Sequence, residues 1–223
     1  MKTSIWTKSL FVIIVLAYFM GSQVWGAEKA SELDKLKFVQ GDEAGNEKKA
    51  VHAEMLVAAS EQKAVAQLQK LIQKYKKTQM EPDLQFRLAE LYMRKSKTDR
   101  FFEIHRDSGE AVKLAPRLLT KASSRATLTQ AVDVYQYIQK TFPNYPQMDL
   151  VVFNHAFARQ ALGQDNDADN LYWGLIRRFP DSPLVPDAQL AIGEIGFTQG
   201  KLAHALHNFD AIRAFPDARV YPY

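Results

Sequence analysis

Apolar residues fall along this chain at helical intervals, and the intervals recur. Ala131, Tyr135, Ile138 and Phe142 lie at i, i+4, i+7 and i+11. Ala168, Tyr172, Leu175 and Phe179 repeat those offsets, and Ala205, Phe209 and Ile212 follow with Phe215 one residue early. Ala64, Leu68, Leu71 and Tyr75 show the pattern again near the N-terminus. Such spacing puts one apolar stripe on a helix and predicts a helix at each place. Partner helices are predicted over 84–93, 150–162 and 188–199. The first sets Leu84, Leu88, Leu91 and Tyr92 on one side, and the other two stop at Gly163 and Gly200. Glycine just past a helix is a natural stop because positive φ carries no steric cost there. Phe142-Pro143, Phe179-Pro180 and Phe215-Pro216 close three stretches at spacings of 37 and 36. Proline cannot continue a helix interior but is tolerated in the first turn of the next.

Residues 192–209, IGEIGFTQGKLAHALHNF, resemble the core of a tetratricopeptide repeat. Ile192-Gly193, Leu88-Ala89 and His155-Ala156 occupy the large–small pair of helix A, and Tyr92 its later aromatic, where Arg159 and Gly196 depart from the pattern. Gly163 and Gly200 match the inter-helix turn. Ala64, Ala131, Ala168 and Ala205 match the small residue of helix B, and Pro143, Pro180 and Pro216 the closure. The FPDSP style of closure is similar to that of exported bacterial members, such as the outer-membrane assembly lipoprotein and the TolA-binding periplasmic protein. The resemblance implies an all-α chain, a right-handed α-solenoid of antiparallel helix pairs spanning 46–216. The expected units are 46–80, 82–143, 146–180 and 184–216. The first is degenerate, without a glycine turn. The second carries an insert at 97–126, because Ala64 to Ala131 is 67 residues against 37 for each later step. The insert either extends both helices or holds a short helix at 109–120 that Pro116 would interrupt. Its seven basic residues, Lys97, Arg100, Arg106, Lys113, Arg117, Lys121 and Arg125, against four acidic ones read as a solvated mixed-charge face. Residues 217–223 begin a further repeat that does not complete, which reads as truncation, a longer parent chain or an end covered by a partner.

Residues 1–27 have the three parts of a secretory leader: basic MKTSIWTKS, apolar LFVIIVLAYFM, then GSQVWGA. Cleavage is expected after Gly26 or after Ala27, and the rival is an uncleaved signal anchor. Residues 28–45 read as a polar linker or a frayed helix. Of 223 residues, 47% are hydrophobic and 24% charged, the composition of a folded domain. The formal charge of +4 falls to +2 once the leader's Lys2 and Lys8 are set aside, so nucleic-acid binding is not expected. The lack of cysteine excludes disulfides, thiolate sites and a cysteine-linked lipid anchor.

No phosphate loop or nucleophile elbow occurs, and neither an enzyme activity nor a cofactor is expected. His204, His207 and Asp210 share a helix face but lack further ligands, so no metal site is expected. His155 reads as a packed histidine rather than a base. Asp165, Asp167 and Asp169 suit a helix start. The resemblance implies a groove lined by helices A that receives a protein or peptide partner. Matching positions are Phe86, Arg87, Glu90 and Arg94, then Asn154, Phe157 and Gln160, then Asp187, Glu194 and Phe197. Arg87 and Asn154 share a repeat position that grips a peptide carboxylate in some relatives; the other basic members of that clamp are missing. The expected role is an exported scaffold of the cell envelope, most plausibly periplasmic. The membrane would be touched only through the leader or a partner. The alternatives are a membrane-anchored adaptor and a subunit of an envelope enzyme, transport or assembly complex.

Overall fold

The computed structural model describes residues 43–220. The leader, most of the linker and the last three residues lie outside them. The chain divides after Ala50, and the packing below is that of the unit beginning at Val51. Among the described residues every regular element is helical. They are α1 (Glu43–Lys74), α2 (Glu81–Ile104), α3 (Gly109–Leu114), α4 (Pro116–Lys121), α5 (Ser124–Thr141), α6 (Met148–Ala161), α7 (Asp165–Arg178), α8 (Val185–Thr198) and α9 (Leu202–Ala211). A 3-10 turn, Ile212–Ala214, follows. From α5 onward each helix packs on the next in sequence, while α2 packs on α5 across the inserted α3 and α4.

Local chemistry repeats along the chain. After α6 and α8, Gly163 and Gly200 adopt φ 74° and 72°. At each, the amide of the following residue reaches five residues back, Gln164 to Arg159 O at 2.9 Å and Lys201 to Gly196 O at 2.8 Å. This closes the orphan carbonyls of the helix end. Phe142, Phe179 and Phe215 end their helical segments in nearly one conformation, with φ −127°, −133° and −124° and ψ 60°, 63° and 68°. Their carbonyls then accept from the third residue on, Tyr145, Ser182 and Ala218. Each closing turn is tied to the start of the first helix of the pair it closes, α2, α6 or α8. Tyr145 Oη donates to Asp83 at 2.8 Å, Ser182 Oγ to Asp149 at 2.6 Å, and Arg219 Nη2 to Asp187 at 3.0 Å.

The recurrent stripes make the main core. Ala131, Tyr135, Ile138, Ala168, Tyr172 and Leu175 are wholly buried, with Leu88, Ala89 and Tyr92 beside them. Gly193 and Gly196 allow α8 and α9 to touch: a Cβ at Gly193 would stand 2.3 Å from the Phe209 ring. A second core joins Val51 of α1, Phe102 of α2, and Ala111, Ala115, Leu119 and Ala122 from α3, α4 and their edges.

Three expectations change. Residues 46–80 do not form a degenerate pair, because α1 runs unbroken to Lys74 and only turns follow before α2. It buries Val51 and Ile72, with Ala58 and Val65 half-buried, a seven-residue step. Leu71, about 100° round the helix from Ile72, falls off that row and is 40% exposed. The polar linker ends earlier than 45, since Glu43 already lies in α1. The insert does both things considered: α2 runs on to Ile104, and two short helices follow, broken at Ala115 before Pro116. Ser108 and Ser123 cap the helices that follow them. Glu103 takes the Ser124 amide at 2.9 Å and its hydroxyl at 2.6 Å, tying the end of α2 to the start of α5.

Candidate functional site

Between α2, α5 and α6 runs a trough made of two adjoining depressions of about 420 and 500 Å³. Met93, Lys97 and Phe157 line both, which makes them continuous. The α2 wall carries Arg87, Glu90, Arg94, Lys97 and Arg100, positions that fall on one helical face. The floor is Leu128 and Tyr135 of α5, and the far wall is Asn154, Phe157 and Ala161 of α6. Phe157 is 48% exposed, unusual for a phenylalanine with a core so close.

Five of the ten residues expected to meet a partner therefore come together here: Arg87, Glu90, Arg94, Asn154 and Phe157. Phe86 does not, and its assignment is corrected. It is buried, with its ring 6.2 Å from Tyr135 and 6.3 Å from Tyr145. Its offset of one residue from Arg87 turns it into the core. Gln160 accepts a hydrogen bond from Tyr172 Oη at 3.2 Å. Asp187 is engaged by Arg219. Glu194 and Phe197 are exposed on α8, away from the trough lining. Met93, Lys97 and Arg100 escaped the sequence comparison, although they continue the i, i+3, i+4 row begun by Arg87. Nothing local marks Leu128 or Tyr135, because their rows read as core.

Tyr135 is the distinctive group. It is fully buried, yet its hydroxyl has no hydrogen-bond partner of ordinary geometry among the described residues. Asn154 is near enough to ease its ionisation slightly, but burial, aided by the Glu90 charge, pushes the phenol well above its usual range. It is therefore a neutral donor at every physiological pH. Tyr172, one repeat on and equally buried, gives its hydroxyl to Gln160. Leaving a buried hydroxyl unpaired costs about 1–3 kcal/mol.

His155 sits beneath the trough wall, 4% exposed and stacked 6.5 Å from Tyr135. Arg159 Nε donates to its Nε2 at 3.2 Å, and the Gln139 amide meets Nδ1 at 3.1 Å. Burial first, then the Arg159 charge, lower its pKa to about 4, so the ring is neutral. His204 lies 3.9 Å from Asp169, while His207 is exposed. No group of three or more potential metal ligands gathers among the described residues. Nor is any helix there long and apolar enough to cross a membrane. No protein-family model matches this chain, and no curated protein matches it at significant similarity.

Proposed function

We propose that this chain is an exported scaffold of the tetratricopeptide type whose trough receives a segment of another protein. One observation carries the reading. An open trough gathers five residues named by the repeat pattern, the half-exposed Phe157 among them. Recurrent helix pairs, the glycine turns and the Phe-Pro closures favour a stacked helical array. A preformed groove loses less ordering entropy on binding than a mobile receptor does. Export rests on the three-part leader, and placement in the cell envelope on the same leader and the family resemblance.

The test is site-specific photo-crosslinking in an envelope fraction, with the crosslinker at Lys97 or Phe157, and at exposed Gln136 as control. A discrete adduct at the first two positions alone is expected, and mass spectrometry would identify it. Equal labelling at Gln136 would remove the docking role. N-terminal sequencing of the mature chain tests export: a start at Ala27 or Glu28 supports the cleaved leader, and a start at Met1 the anchored alternative.

A further inference from the structure

We infer that the trough selects an acidic segment bearing one bulky apolar side chain, its side-chain carboxylates lying along the α2 wall. The inference rests on the docking reading above and adds the chemistry of the occupant. The α2 wall carries four cations, Arg87, Arg94, Lys97 and Arg100, against one carboxylate, Glu90. Arg87 already holds Glu90 at 2.9 Å, and Arg100 leans towards Glu103 at 3.7 Å. Arg94 and Lys97, in the middle of the row, form no ion pair among the described residues. Arg94 acts only at a distance on Glu61 and neither residue has a close ion pair, so this wall is net positive and a basic occupant would be repelled.

The opposite wall and the floor supply no charge. They offer Leu128, Phe157 and the half-buried Met93 of α2 as an apolar seat. The Tyr135 ring lies beneath this seat, its hydroxyl buried next to Asn154 and out of an occupant's reach. From Arg87 to Arg100 the helix rises about 20 Å, the length of roughly six extended residues. A single basic wall over an apolar floor suits one row of carboxylates. A nucleic-acid backbone, charged throughout, would leave the floor uncovered.

The experiment is selection of short random peptides by display on the full chain, followed by fluorescence anisotropy of the labelled consensus peptide. Selected peptides should be rich in Asp and Glu around a Phe, Leu or Trp. Affinity should fall about tenfold on adding salt, and about tenfold in R94E/K97E. F157A should weaken binding as well. All three residues touch solvent, so unchanged thermal melting will show that the variants remain folded. Neutral or basic consensus peptides whose binding F157A still weakens would overturn the acidic selectivity and leave docking intact. Absence of any peptide sensitive to F157A or R94E/K97E would overturn both. Tighter binding of labelled oligothymidylate than of the acidic peptide, lost in R94E/K97E, would overturn the peptide assignment.

Discussion

Two tyrosines at the same repeat position illustrate what single residues contribute. Both are buried, but only Tyr172 has an acceptor. Tyr135→Phe should therefore leave the free protein as stable or raise stability by about 1 kcal/mol, whereas Tyr172→Phe should lower it by about 1 kcal/mol. Urea unfolding of the two variants measures this directly, and equal signs would contradict it. His155 makes a pH-dependent statement. Its folded pKa, about 4, lies below the ordinary 6.5, so the unfolded chain binds the proton first. Stability is full above pH 6.5 and falls as the pH drops towards 4, by about 3 kcal/mol in all. Unfolding free energies between pH 7 and 5, a window above the usual carboxylate range, should slope in the wild type and flatten in His155→Gln. That His155 is packed follows from its helical register. That its ring is held neutral does not, because burial is the larger cause and is set only once α6 has packed on α5; Arg159, one turn along the same helix, adds to it.

At the scale of elements, helix ends were the most legible feature. Gly163 and Gly200 announce their turns because the left-handed conformation they adopt excludes most side chains. The Phe-Pro closures are legible for the complementary reason, that proline removes a helical donor. The ties from each closing turn back to Asp83, Asp149 and Asp187 were not legible. Their donors differ, a phenol, a hydroxyl and a guanidinium, and their separations of 62, 33 and 32 residues are not constant. Each such tie holds two helix ends together across a pair. Ser182→Ala and Asp149→Ala should each cost about 1 kcal/mol, and the double variant should cost clearly less than their sum. A double-mutant cycle by denaturant unfolding checks the coupling; strict additivity would show the contact to be energetically idle. α1 teaches the opposite lesson. The spacing of Ala64, Leu68, Leu71 and Tyr75 selects Leu71 for the apolar stripe, yet the seven-residue step from Val51 buries Ile72 instead. The line of contact along α2 chooses Ile72.

Across the unit from Val51, two cores share no buried residue. The insert, read from sequence as a charged surface excursion, also builds the smaller core: Ala111, Ala115, Leu119 and Ala122 close over Phe102 and Val51. Phe102→Ala should cost about 3–5 kcal/mol locally. Hydrogen exchange should quicken at 51–58 and 111–122 while the amides of α7–α9 keep their protection. Uniform loss of protection would instead mean that the two cores unfold as one.

Short-range order set most of what could be foreseen. Residues three and four apart are neighbours on a helix whatever surrounds them, so the stripes, the turns and the all-helical class follow from adjacent chemistry. Five of the ten expected partner-binding residues lie in the trough for the same reason, as a register carried along α2 and α6. Tertiary packing decided the rest: which of two neighbouring apolar residues faces inward, that Phe86 belongs to the core, that the insert closes a second core, and that Tyr172 finds Gln160 while Tyr135 finds no acceptor of ordinary geometry among the described residues. Each depends on contacts between side chains far apart in the chain, and no local spacing encodes the distance between two helices that have yet to meet.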